Sequence, residues 1–298
     1  MPSGRATDQP AIGSAACAVV LAAPGLADVR VLIAEDNPVN SAILQVYLGE
    51  FGCSIEVAET GAQAVQLFQV GGFDAILMDC QMPVMDGLTA TRIIRAYETC
   101  EQRSPLPIIA LTANANRDER AACLAAGMNE CLAKPYSDGQ LAAVMAKWLP
   151  DRRRTTARLG MAQPVTNGPD ARFPGVCALV RDFDLDVAGE LLSIFVEECR
   201  RCDAQLERDC AVGDNAGLRS IAHRIAGGAS MIHAHDLAAI ARDVEAKCGE
   251  RDAIGGLEVA RLRDAICTAR EMFAPLADRS SLEQFVAECG QQRNPNRL

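Results

Sequence analysis

Lysine and histidine are nearly missing from this 298-residue sequence: three lysines (Lys134, Lys147, Lys247) stand against 26 arginines, and the histidines are His223, His233 and His235. Aromatic residues make up 4%, so stacking platforms for bases are scarce. Acids outnumber bases 39 to 29, a net charge of −10. A chain of that sign repels a nucleic-acid backbone instead of releasing its counterions, so no nucleic-acid partner is expected. No apolar run reaches the roughly 20 residues that a bilayer span needs, which excludes direct membrane insertion. The nearest candidate, AIGSAACAVVLAA at 11–23, reads as part of a flexible Ala/Gly/Pro leader over 1–27 rather than a signal peptide. The 13 cysteines show no framework spacing and read as reduced thiols of a cytoplasmic chain. Cys199 and Cys202 have the C-x-x-C form, but on a helical pattern without a second pair, where helix core is the better reading.

What is present divides into two domains. From Val29, short apolar runs (29–34, 54–58, 73–79, 107–112, 130–133) alternate with helical patterns at 38–50, 61–70, 87–98, 117–126 and 138–149. Near-continuous apolar strands alternating with helices predict a doubly wound α/β domain with a five-stranded parallel sheet, over 28–150. Residues 151–172 carry five arginines with Pro, Gly and Thr and no periodicity, and read as a linker. From about 184 onward only helical periodicity remains, at 214–232, 236–248, 256–277 and 280–289, so 173–298 is expected to be an all-α helical bundle. Leu191, Phe195, Cys199, Cys202 and Leu206 keep one apolar stripe.

Chemistry gathers at the strand ends. Glu35 and Asp36 follow the first strand and Asp79 ends the third; these strands flank the crevice where a doubly wound sheet binds ligands. Three carboxylates there repel one another unless a cation intervenes, and a hard divalent ion such as Mg²⁺ suits oxygen ligands. Thr112 ends the fourth strand and Lys134 follows the fifth. An Asp nucleophile flanked by metal, ammonium and hydroxyl suits acceptance of a phosphoryl group. A phosphohydrolase built on Asp79 would need a second Asp two residues on as general acid, and that position is Gln81.

RVLIAEDNPVN (30–40), ILMDCQMPVMDG (76–87), ALTANA (110–115) and CLAKP (131–135) together resemble the receiver domain of two-component response regulators. The resemblance implies Asp79 as phosphoacceptor, with Glu35, Asp36, Asp79 and the Gln81 carbonyl around Mg²⁺. It also implies Thr112 and Lys134 on the phosphoryl oxygens. The family's switch position, often aromatic, is Cys131. Gln81 and Asn114 flank the water path to Asp79.

On a helix over 214–232, Leu218, Ile221, Ala222, Ile225, Ala229 and Ile232 share one arc, with His223 about 150° from its centre. Ala216, Ser220, Gly227 and Ser230 surround His223 on the outer face, a clearing through which another protein's aspartyl phosphate could reach a neutral imidazole. AHRIAGGASMIHAHDL (222–237) resembles the histidine phosphotransfer (HPt) signature, with His223 as phosphoacceptor and Gly227 matching the glycine four residues on. Two positions depart from it: the family lysine is Ala226, for which Arg219 or Arg224 is the expected stand-in, and the break glycine is His233. His233 and His235 read as a polar turn rather than a metal pair.

Receiver followed by HPt resembles the C-terminal part of hybrid sensor histidine kinases. The expected function is a two-component phosphorelay. Asp79 takes a phosphoryl group from a partner histidine kinase, and His223 relays it to or from another response-regulator receiver. The sequence lacks ATP-binding glycine boxes, so the chain reads as a phosphotransfer intermediate. Slow aspartyl-phosphate autohydrolysis is the only turnover expected, and association with a membrane-bound sensor kinase fits the partner. The alternative is a phosphorylation-switched module whose bundle docks partners without carrying phosphate.

Overall fold

The computed structural model describes residues 26, 28–113, 116–149, 174–212, 214–248 and 256–291. The expected linker 151–172, Asn114 and nearly all of the expected leader 1–27 lie outside them. Leu26 departs from the leader assignment: it is buried in the core, and its N–H donates to the Phe51 carbonyl at 3.1 Å.

The first unit alternates β1 (Arg30–Ala34), α1 (Pro38–Glu50), β2 (Ser54–Ala58), α2 (Gly61–Val70) and β3 (Ala75–Asp79). It continues through α3 (Gly87–Cys100), β4 (Ile108–Thr112), α4 (Arg117–Ala126), β5 (Glu130–Ala133) and α5 (Asp138–Trp148). All pairings are parallel, in the order β2-β1-β3-β4-β5. The two-residue period of the strands builds two separate cores. Leu32, Ile76, Met78, Ile108 and Ala110 face one side with Val65, Phe68 and Ile94. Val31, Ile33, Leu77, Ile109 and Leu111 face the other with Ile43, Leu44 and Leu141.

That second core does not stop at the receiver-like unit. It runs on through α1 into the helical bundle of α6 (Pro174–Asp182), α7 (Leu185–Val212), α8 (Asn215–Met231), α9 (His235–Cys248), α10 (Gly256–Phe273), a 3₁₀ turn (Ala274–Ala277) and α11 (Arg279–Gln291). Helix α1 lies between the sheet and helices α7 and α8, which explains why it buries Val39, Asn40, Ser41, Ile43, Leu44, Tyr47 and Leu48 rather than a single stripe. The predicted stripe of α7, from Leu191 to Leu206, is buried. Cys199 and Cys202 belong to it, and burial pushes the Cys202 thiol up to about 12, as expected of inert core cysteines.

The bundle differs from expectation at two places. Helix α6 precedes the expected start at 184; among its described residues Val176 and Leu179 are buried before Phe183, too few apolar positions to establish a period. The expected 256–277 helix ends at Phe273, where Pro275 forces a 3₁₀ turn. The α8–α9 break has His233 in the left-handed region (φ 62°), where glycine is usual, with Ala234 N–H donating to the Ala229 carbonyl at 2.7 Å. Its ring is tied to Asp182 of α6 at 3.0 Å, so His233 is a turn residue, as expected.

Asn37 joins the two units. Its side-chain oxygen caps α1 by accepting from Val39 N at 2.9 Å, while its Nδ2 donates to the Arg224 carbonyl of α8 at 2.6 Å. Gly227 and Gly228 make this approach feasible, since a Cβ on either would meet Asn40 Nδ2 or Asn37 Nδ2 at 3.2 and 3.1 Å. Tyr47 of α1 and Phe183 stack at the far end of the contact, with centroids 5.5 Å apart. Asn37→Asp keeps the capping acceptor but sets an oxygen against the Arg224 carbonyl, at a cost of about 1–3 kcal/mol to docking. Amide exchange should accelerate across α8 and the α1 N-terminus while sheet amides keep their protection; unchanged exchange in α8 would show that this contact does not hold the units together.

Candidate phosphoacceptor crevice

Apolar strands deliver polar groups only where they end, so the five strand mouths decide the site. Lys134, just past β5, reaches back to donate to Glu35 Oε2 at 2.6 Å and Asp79 Oδ2 at 2.7 Å. All three side chains are almost fully buried. Asn40 Nδ2 donates to the other Glu35 oxygen at 2.8 Å, so both oxygens of Glu35 are engaged. Burial works against the Lys134 ammonium, but Asp79 and Glu35 outweigh it and hold its pKa above the usual lysine value. Burial, then repulsion from Asp79, pushes Glu35 upward despite Lys134. The same two causes push Asp36 up to about 6.

The loop after β3 keeps Asp79 in place. Gln81 N–H donates to Asp79 Oδ1 at 3.2 Å, and Gly87 N–H closes the loop on the Cys80 carbonyl at 3.1 Å. Gly87 has to be glycine: a Cβ there would lie 2.0 Å from the Asp79 carbonyl. Thr112 is buried at the end of β4, and its hydroxyl donates to Glu119 Oε2 at 2.8 Å in the first turn of α4. Cys131 sits in a thiol cluster behind the loop, where Cys80 Sγ and Cys123 Sγ are 3.4 Å apart.

Ligand atoms of Glu35, Asp36 and Asp79 lie within 4.8 Å of one another. Asp36 Oδ1 is buried without a hydrogen-bond partner, an oxygen suited to a cation. The acidic set therefore fits a hard divalent ion.

His223 shares a cavity with Asp79, whereas Glu35 and Asp36 open onto another, larger one beside Arg224. A cavity of about 460 Å³ is lined by Asp79, Gln81 and Thr112 from the sheet side and by Arg219, His223, Arg242 and Glu245 from the bundle. Part of the outer face expected to lie open for another protein is covered: Gly227 packs against Asn40 and Asn37 of this chain's own receiver-like unit, Ser230 is buried under Arg242 of α9, and Ala216 stays exposed. His223 Nδ1 lies 2.9 Å from Glu245 Oε1 on α9. A carboxylate can only accept, so Nδ1 carries the hydrogen, and in the neutral ring Nε2 keeps its lone pair. Burial disfavours the imidazolium, but the hydrogen bond and charge of Glu245, with Asp79 beyond, raise the His223 pKa overall.

The two arginines expected to replace the family lysine separate here. Arg224 is committed to the buried Glu198 of α7, with Nε at 3.0 Å and Nη2 at 2.5 Å. Arg219 lines the crevice. Sequence reasoning missed Glu245, which bonds His223 from another helix, and Arg242, which lines the same cavity; a local pattern around His223 contains neither.

Two families match the chain, the response regulator receiver domain over residues 31–146 and the Hpt domain over 190–272. The sensor histidine kinase GacS of Pseudomonas protegens is 31% identical over 233 residues, covering 75% of this chain and 25% of the relative. The sensor protein EvgS of Escherichia coli K12 is 31% identical, covering 72% of this chain and 17% of its own. GacS of Pseudomonas syringae is 46% identical over 40% of this chain and 13% of the relative. The chain thus spans a quarter or less of the length of these relatives. Among solved structures, a Saccharomyces cerevisiae complex of the phosphotransfer protein Ypd1 with the Ssk1 receiver domain aligns over 43% of this chain and 93% of that one (32% identity, TM-score 0.41). The receiver domain of a Pseudomonas aeruginosa sensor histidine kinase, with magnesium in its cleft, aligns over 42% and 99% (44% identity, TM-score 0.38). With the acidic site at the strand mouths and His223 on the bundle facing it, the chain belongs with the two-component phosphorelay proteins, as a response regulator receiver domain followed by an Hpt domain.

Proposed function

We propose that Asp79 and His223 are the two phosphoacceptors of this phosphorelay chain, and that a phosphoryl group passes between them within one molecule. The observation that carries this reading is their common crevice, into which both units present charged groups. In the transfer from Asp79, the Nε2 lone pair of His223 forms the N–P bond. The P–O bond to Asp79 breaks and its electron pair stays on the carboxylate. Glu245 holds the Nδ1 proton throughout and offsets the imidazolium charge that develops. Lys134 neutralises Asp79 before and after transfer, and Thr112 stands where a phosphoryl oxygen would need a donor.

Mg²⁺ is the cation proposed for the acidic set, held directly by Asp36 and Asp79 with the Gln81 carbonyl. Glu35, both of whose oxygens are engaged, contributes by charge. Bound there, the ion supplies Lewis-acid neutralisation of phosphoryl charge. A histidine kinase as donor and a second response-regulator receiver as exchange partner complete the proposal. A cytoplasmic location fits it, and no helix among the described residues is long and apolar enough to cross a membrane. The domain limits proposed are 28–150 and 173–298, with Leu26 added to the first.

Wild type, Asp79→Asn and His223→Gln, phosphorylated by a histidine kinase, should separate by linkage. Wild type should carry alkali-stable, acid-labile phosphate that vanishes in His223→Gln and no longer forms from the kinase in Asp79→Asn. Only alkali-labile acyl phosphate, in wild type as well, would instead support a bundle that docks without carrying phosphate.

Because the folded pKa of His223 is raised, the stability that Glu245 contributes is complete below the unfolded value near 6.5. It is lost as pH rises through the folded pKa, and the nucleophilic neutral form grows over the same interval. Glu245→Gln should move the NMR titration midpoint of His223 to lower pH. A midpoint that stays put would remove Glu245 from this role.

A further inference from the structure

A phosphoryl group brings a charge of about −1.5 to −2 into the crevice. Three carboxylates already line it, Asp79, Glu119 and Glu245. The cation on the receiver side, Lys134, is held by Glu35 and Asp79 at 2.6 and 2.7 Å and stays with them when the group moves to His223. The bundle therefore needs positive charge of its own. Arg224 cannot provide it, since two of its nitrogens bind Glu198.

Two other guanidiniums are placed for the task. Arg219 lies one turn before His223 on α8 and lines the crevice. Arg242 comes from α9, and its Nη2 donates to Ser230 Oγ, which in turn donates to the Ala226 carbonyl at 2.6 Å. That chain of bonds anchors the arginine across the helix break, in the cavity it lines with His223. Among the described residues, neither Arg219 nor Arg242 forms an ion pair with a carboxylate, whereas the neighbouring Arg224 does. Unneutralised guanidiniums facing two phosphoacceptors are an anion site in waiting.

We infer that Arg219 and Arg242 form a cradle on the bundle that binds the phosphoryl group as it reaches and rests on His223, with Ser230 positioning Arg242. The inference rests on the reading of His223 as a phosphoacceptor. It makes the bundle's phosphoryl site composite, drawn from two helices.

The test uses the full chain with Mg²⁺ and acetyl phosphate as an acyl-phosphate donor to Asp79, following alkali-stable phosphate over time. Arg219→Ala and Arg242→Ala should each slow its formation about tenfold, and the double variant by on the order of a hundredfold. Arg242→Lys should recover most of the rate, because it keeps the charge. A second readout distinguishes contact from scaffolding: in chains loaded with phosphoramidate, an adjacent guanidinium lowers the pH at which the ³¹P signal of phosphohistidine titrates. Arg242→Ala should raise that midpoint. Wild-type rates in the double variant, or slowed rates with an unmoved midpoint, overturn the inference while leaving His223 as phosphoacceptor. Absence of alkali-stable phosphate in wild type under both donors removes the phosphoacceptor reading and the cradle with it.

Discussion

One buried ammonium shared by two buried carboxylates sets the terms for the rest of this structure. Lys134, Glu35 and Asp79 come from three different strand ends and meet out of water, where an unpaired charge would cost several kcal/mol. The triad is satisfied only if β1, β3 and β5 keep their order in the sheet, so its electrostatics and the fold are mutually dependent. Two carboxylates share one ammonium and Asp36 adds a third, which is why burial and mutual repulsion push Glu35 and Asp36 upward. That surplus suits a cation at the mouth of the sheet and an electrophilic phosphoryl group next to it.

Helix α1 carries the same logic to the bundle. It begins immediately after the acidic pair, so whatever packs on its N-terminus is brought to the site. Asn37 caps the helix and bonds the backbone of α8 with the two ends of one amide. The small residues at Gly227 and Gly228 let that contact close, and His223, one turn earlier, then faces Asp79 across the crevice. Docking of this kind covers the histidine face that an outside receiver would use. On the proposed relay, transfer from His223 to another protein would require the two units to separate.

The α/β unit was legible almost residue by residue because four of its five strands are short apolar runs that end at a polar residue with its own chemistry: Asp36, Asp79, Thr112, Lys134. The periodic arc of α8 likewise located His223 and its core face. What stayed hidden depended on contacts between distant segments. Asn37 reads locally as a cap, and nothing in its neighbourhood announces a bond to Arg224, 187 positions away. Glu245 lies 22 residues beyond His223 on a helix whose rotation the sequence does not specify. Arg224 looked as well placed as Arg219 until the burial of Glu198 in α7 claimed its guanidinium.

The central claim is transfer within one molecule, and the order of the reaction tests it most directly. Chain loaded at Asp79 is diluted over a hundredfold range, and the appearance of phosphate on His223 is timed at each concentration. The docked arrangement predicts a first-order rate constant that does not change with dilution. A rate constant that falls in proportion to chain concentration would contradict it, placing the exchange between molecules instead of across the crevice.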